Sequence, residues 1–225
     1  AVYGTSSPKM NSADMQTKGY ELSLGWQDMF KLAGKPFAYQ INLTFNDYIS
    51  KITKFNNPEK AFAKKYYEGM RIGEIWGYHI DGMFATDEEA ANYQVDQRRV
   101  NDIINSSSGS LKGLHAGDLR FADLDGDNII STGEDTVDDP GDRRIIGNSE
   151  PRYQYGANMA FQWCGFDFSI FFQGIGRMDW YPASEAELFW GPFNRPYATF
   201  LPKNFLEQCW SEDNPNAYFP RPRAY

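Results

Sequence analysis

The stretch RYQYGANMAFQWCGFDFSIFFQ, Arg152 to Gln173, alternates ring and apolar residues with small or polar ones on both sides of a two-residue interruption. Tyr153, Tyr155, Ala157, Met159, Phe161 and Trp163 hold one parity, and Gln154, Gly156, Asn158, Ala160 and Gln162 hold the other. A period of two is the signature of a strand with one apolar and one polar face. After Cys164 and Gly165 the pattern resumes with Phe166, Phe168, Ile170 and Phe172, so the stretch reads as a hairpin closed by a tight turn.

Working outward, the same alternation occurs twice upstream. In YELSLGWQ, Tyr20, Leu22, Leu24 and Trp26 face one way; in FAYQINLTFN, Phe37, Tyr39, Ile41, Leu43 and Phe45 do the same. These two strands of about ten residues form a second hairpin, turning roughly within Asp28–Pro36 (DMFKLAGKP). Residues 56–152 then make one long insertion and 174–225 a second, far beyond the usual connection of about 4 to 6 residues. Short turns on one side and very long loops on the other are the pattern of an outer-membrane β-barrel. Trp26, Phe37, Trp163 and Phe166, nearest the short turns, are the expected aromatic girdle. On this reading Leu22, Ile41, Met159 and Phe168 face lipid, while Glu21, Asn42, Asn158 and Ser169 face the lumen. A soluble β-sandwich also has alternating strands and stays open as an alternative. Four strands cannot close a barrel, and an open edge in lipid strands its backbone groups, so further strands are expected from outside these 225 residues.

Composition agrees with a β-rich chain that is polar on average. Rings make up 16% of 225 residues, yet mean hydropathy is -0.60. The net charge of -8 is uneven: Asp81 to Asp142 carries 15 acidic and four basic residues. Such a segment argues against a nucleic-acid partner, which needs a basic footprint. Two cysteines and two histidines offer little for a disulfide framework or a zinc site. Cys164, in a short turn, and Cys209, in the second loop region, are expected at opposite ends of a barrel and therefore unpaired. No run of 18 apolar residues exists, which excludes a spanning helix and leaves a barrel open. With no initiator Met or signal peptide, the chain reads as a piece of something longer.

Inside the first insertion, a helix is expected to start at Thr86, with Glu89 completing a capping box, and to end near Ser106–Gly109. DLDGDNIISTGE, Asp123 to Glu134, follows. It has the spacing of a calcium loop: Asp123, Asp125 and Asp127 at positions 1, 3 and 5, the Ile129 carbonyl at 7, and Glu134 at 12 as a bidentate ligand. Position 6, where glycine usually supplies positive φ, is Asn128, and Ile130 is the hydrophobic residue at 8. A solvated acidic turn is the plainer reading of the same residues. With an extended segment preceding it, a structural ion fits better than a helix-loop-helix sensor.

Four ordered segments carry a family likeness: MQTKGYELSLGW (Met15–Trp26), GEIWGYHIDGMFATDEEA (Gly73–Ala90), GDLRFADLDGDNII (Gly117–Ile130) and RRIIGNSEPRYQYGANMAF (Arg143–Phe161). Together they resemble the SusC/RagA-like TonB-dependent receptors of Bacteroidota outer membranes, over nearly the whole chain. The resemblance implies a late portion of an all-β transmembrane barrel, lacking plug, TonB box and terminal strands. It implies uptake of oligosaccharides or peptides, a SusD-like lipoprotein on the extracellular loops, and energy from TonB. It implies no enzyme. A secreted, calcium-stabilised glycan-binding module is the alternative, and a glycoside hydrolase a third, weakened because no carboxylate pair stands apart from the acidic background. The loop aromatics Trp76, Tyr78, Trp180, Tyr181 and Trp190 are candidate substrate contacts, against the commoner role of packing a loop's own core.

Overall fold

A computed structural model describes residues 11–100, 113–182, 190–192 and 200–222. The chain divides into two compact units, Ala1–Glu74 with Gly147–Trp180, and Ile75–Ile146 with Tyr181–Tyr225. The architecture is all-β and antiparallel with very little helix. No helix among the described residues is long and apolar enough to cross a membrane, which says nothing of crossing by strands.

The first unit is a four-stranded antiparallel sheet, β1 (Ala13–Leu32), β2 (Lys35–Phe55), β7 (Arg152–Trp163) and β8 (Phe166–Arg177), in that spatial order. Both hairpins close through two-residue turns with positive φ at each position, Ala33 (51°) and Gly34 (76°), then Cys164 (53°) and Gly165 (84°). Two successive left-handed residues match the right-handed twist of the flanking strands. The first turn is much tighter than the nine residues expected. Asp28 to Leu32 continue β1, paired with Lys35 to Tyr39.

Register then decides what each face carries. Leu22 pairs with Phe45 and Phe45 with Tyr155; Trp26 pairs with Ile41, Ile41 with Met159 and Met159 with Ile170. All four apolar parities therefore meet on one face, while Asn42 pairs with Asn158 and Ala160 with Ser169 on the other. The apolar face is open: Trp26 is 63% exposed and Phe166 78%. Phe30, Phe37, Trp163 and Phe166 form the row nearest the turns. Three of the four expected girdle rings thus lie in it. Trp26 sits two rows deeper, because β1 runs on past it, and its indole N–H donates to the Tyr39 hydroxyl at 3.0 Å. That bond satisfies the indole N–H without water.

The strands β1 and β2 span 20 and 21 residues, about twice the expected length. In their outer halves Gln16–Lys18, polar on both faces, lie against Ile49–Lys51, and isolated apolar residues such as Ile49 and the buried Ile52 make no alternation to detect; the Thr17 and Ser50 hydroxyls bond at 2.8 Å. The boundary between the halves is the Tyr20–Asp47 pair, where Arg152 grips the buried Asp47 through Nε and Nη2, each at 2.5 Å, and the Tyr153 N–H donates to the same carboxylate. Strand β8 runs to Arg177, into the start of the range expected as the second loop.

The second unit holds most of the buried apolar side chains, among them Phe84, Ala90, Ile130, Phe205, Cys209 and Trp210. Strand β4 (Ile80–Met83) pairs with β5 (Leu119–Phe121), and β3 (Glu74–Tyr78) with β6 (Arg143–Asn148), the larger parts of both falling in this unit. The expected helix begins as foreseen, Thr86 accepting from the Glu89 N–H and Glu89 from the Ala85 N–H, but α1 is only Asp87–Ala91. Tertiary contacts override propensity after it. The Tyr93 ring packs on Phe84 at 5.0 Å, and Gln97, buried, donates to the Leu119 carbonyl and accepts from the Phe121 N–H. The segment is drawn onto β5 as irregular backbone; the expected end near Ser106–Gly109 lies outside the described residues. Cys164, exposed, and Cys209, buried, are free thiols.

Removing one member of the Asp47–Arg152 pair leaves the other charge without its partner. Asp47→Leu and Arg152→Leu are each expected to lower the thermal midpoint of the refolded protein more than the Asp47→Leu/Arg152→Leu double variant does, measured by heat-modifiable gel mobility.

Candidate functional site

The acidic loop belongs to the second unit and is shaped by backbone capture. The two oxygens of Asp123 accept from the Gly126 N–H at 2.7 Å and the Asn128 N–H at 2.9 Å. Asp125 accepts from Asp127 and Asp127 from Ile129, at 3.2 and 2.7 Å. Asn128 takes φ 64°, the left-handed conformation expected at the sixth position, and Ile130 is fully buried at the eighth. A short parallel bridge to Asp96 fixes the floor: the Asp96 N–H donates to the Asn128 carbonyl and the Ile130 N–H to the Asp96 carbonyl.

Asp123 and Asp125 converge with a third carboxylate that sequence reading did not single out. One oxygen from each of Asp123, Asp125 and Asp142 lies within 4.8 Å of the others. Asp142 is fully buried, and its oxygens accept from Leu124 and Ser131, both at 2.7 Å. A carboxylate has about four lone-pair sites, so two remain for a cation. Asp127 and Glu134 are exposed and outside this trio, and Ile129 lies at the rim. The signal for Asp142 was the PGD turn, in which Gly141 takes φ 58° and a Cβ would sit 2.6 Å from the Ser131 carbonyl oxygen. That close approach returns the chain beneath the loop.

The electrostatics follow from crowding. Desolvation pushes the Asp123 carboxyl up, but the hydrogen bonds from Gly126, Asn128 and its neighbours outweigh it and hold it below the usual range. For Asp125 the Asp127 N–H pulls down, yet desolvation and repulsion from Asp142, Asp127 and Asp123 leave it raised. The trio thus holds more negative charge than its hydrogen bonds offset, and three oxygen donors suit a hard divalent cation. The trio's oxygens, all within 4.8 Å of one another, stand closer than the about 5 to 9.5 Å between the paired carboxyl groups of a glycoside hydrolase.

The aromatic candidates separate by burial. Trp76 and Tyr78 are half-buried on β3, Tyr78 meeting Phe121 edge-on at 5.9 Å, and burial pushes its hydroxyl up. Tyr78 thus packs within the insertion. Trp180, 71% exposed, and Tyr181, 56% exposed, lie at the surface. Tyr181 lies 5.9 Å from the Trp190 ring, whose N–H donates to the Pro182 carbonyl.

No family model matches the chain. It is similar to two curated proteins of Formosa agariphila: TonB-dependent receptor P3, 26% identical over 97% of this chain, and TonB-dependent receptor P39, 26% identical over 75%. The chain spans 20% and 17% of their lengths, about a fifth of each. The likeness to TonB-dependent receptors carried by the motifs is therefore shown at the level of sequence, for a partial segment of such a protein.

Asp142→Ala leaves the Leu124 and Ser131 N–H groups without acceptors, at about 2 to 3 kcal/mol, whereas Asp125→Asn relieves repulsion. In divalent-free buffer at neutral pH, hydrogen exchange of the 123–131 amides is expected to speed up in the first variant and to slow about twofold in the second.

Proposed function

We propose that this chain is a late barrel segment of a SusC/RagA-like TonB-dependent importer in the outer membrane, taking up oligosaccharides or peptides. The observation that carries the reading is the register of the sheet. Ten residues separate the Phe30 row from the Tyr20 row, about 34 Å along a strand and about 26 Å in height at a tilt near 40°. An outer-membrane barrel presents an apolar band about 25 Å tall. The open apolar face thus has the height of a bilayer core and the polar face the chemistry of a lumen. The edges β1 and β8 await neighbouring strands. The two-residue turns lie on the periplasmic side, and the insertions at 56–152 and 174–225 are extracellular, where Trp180 and Tyr181 stack on cargo and a SusD-like lipoprotein docks. TonB engages a part of the protein outside this chain.

Spin labels at Met159 and Phe168 are expected to be reached by lipid-soluble quenchers and missed by water-soluble ones, and Met159→Arg to cost about 2 to 4 kcal/mol. Labels silent to lipid would overturn the reading.

Calcium is the cation we assign to the acidic loop, held by Asp123, Asp125 and Asp142, with the Ile129 carbonyl, Asp127 and Glu134 completing the shell when the rim closes. Its role is structural, offsetting the repulsion that otherwise opens the loop. Isothermal titration of the whole receptor is expected to find a site that Asp125→Asn weakens at least tenfold. No binding at millimolar calcium would remove the assignment and leave the barrel reading intact.

A further inference from the structure

Above the apolar band, on the same face, the first unit sets three cations on three adjacent segments. Lys18 lies one row beyond Tyr20, and Lys51 two rows beyond Asp47. Arg71 is the bridge partner of Lys51 on the far side of β2. The bonds Ile52 N–H to the Met70 carbonyl and Ile72 N–H to the Ser50 carbonyl, both 2.9 Å, make Lys51–Arg71 a non-hydrogen-bonded antiparallel pair. In such a pair the Cα atoms are about 4.5 Å apart and the side chains stand close. Like charges directly opposite are destabilising.

Among the described residues of this unit nothing neutralises them. None of the three makes an ion pair among the described residues, and the buried Arg71 Nε has no hydrogen-bond acceptor. Asp47, one row below Lys18, is taken by Arg152 and the Tyr153 N–H. Glu74 spends its oxygens on the Arg71 backbone N–H and the Tyr67 hydroxyl. An anion from outside is the missing partner.

We infer that Lys18, Lys51 and Arg71 bind the phosphate of an anionic lipid headgroup in the leaflet at the long-loop end of the sheet. The inference rests on the membrane reading above. Height selects this ligand: Lys18 stands about 5 Å above the band, within the headgroup layer of about 5 to 7 Å, and Lys51 about 10 Å above it, just beyond that layer and within reach of it by its long side chain. Long basic side chains lean along apolar surface toward that layer. The planar guanidinium takes two phosphate oxygens while the ammonium groups close over the others. Acyl chains below would lie on Tyr20, Leu22 and Phe45, so one lipid meets both halves of the surface.

The test is native mass spectrometry of the whole receptor released from vesicles of equal parts phosphatidylglycerol and phosphatidylcholine. The wild type is expected to retain phosphatidylglycerol preferentially, with the preference falling about fivefold for each charge removed in Lys18→Gln, Lys51→Gln and Arg71→Gln. Lys18→Arg and Lys35→Gln, the latter at the turn end, should leave it unchanged. An unaltered preference in the triple variant overturns the inference, as does release of the lipid by millimolar inorganic phosphate, which marks a general anion site. A label at Met159 separates the failures. If lipid reaches it while no preference is seen, only the headgroup site is lost; if lipid does not reach it, the membrane reading itself falls.

Discussion

The sheet depends on the clamp between Asp47 and Arg152, because it holds the one strand pairing that no turn can set. Two-residue turns fix β1 against β2 and β7 against β8 locally. Strands β2 and β7 meet across a separation of 105 residues between clamp partners, where closing the chain costs entropy and gives no register. A slip of one residue there would send the Met159 face to the opposite side of the Ile41 face. A bidentate guanidinium–carboxylate pair tolerates no such slip. The Tyr153 N–H on the same carboxylate and Tyr48 bonding Glu150 at 3.1 Å reinforce it where the insertion returns.

Once that register is held, the rest of the first unit follows from pairing. Rings on adjacent strands meet along rows and diagonally between them: Phe30 with Phe37 at 5.1 Å and Phe161 with Phe168 at 4.7 Å along rows, Phe37 with Phe161 at 5.9 Å between them. These contacts run across the sheet on its exposed side. They are contacts within an exposed surface, which on the proposed reading lies against an apolar medium. The second unit behaves oppositely. Its strands are short, and Phe84, Ile130 and Trp210 form an interior of the ordinary kind, tightened where Gly117 leaves no room for a Cβ under the Trp210 ring.

What the sequence made legible follows this division. Alternation identified the four strands, their faces and the Cys164–Gly165 turn, because a period of two is a direct consequence of one-sided burial. It did not reveal the outer halves of β1 and β2. There Gln16–Lys18 are polar on both faces, and the lone buried Ile52 of β2 makes no alternation, so the strands persist on backbone ladder bonds that leave little trace in residue type. Nor did it place the first turn, since Asp28 on the apolar parity interrupts the pattern while the register continues through it. The capping box was readable because it is local, whereas the early end of α1 depends on where Phe84 and Phe121 lie in space.

The acidic loop shows the same limit within a dozen residues. Positions 1 and 3 were legible, as was the left-handed Asn128, because each is set by local chain geometry. The twelfth position was assigned to Glu134 on spacing alone. Spacing presumes that the chain leaves the loop as a helix, which turns its twelfth residue back toward the ion. Here no helix follows. Ser131 instead pairs with Asp142, whose backbone N–H donates to the Ser131 carbonyl at 3.2 Å and whose carboxylate accepts the Ser131 N–H. A carboxylate brought in by a strand-like return stands beside Asp123 and Asp125, and Glu134 lies outside that trio. The chemistry of the loop is therefore set by the turn at Pro140–Gly141 as much as by the acids in its own sequence, and a motif defined by residue spacing cannot contain that turn.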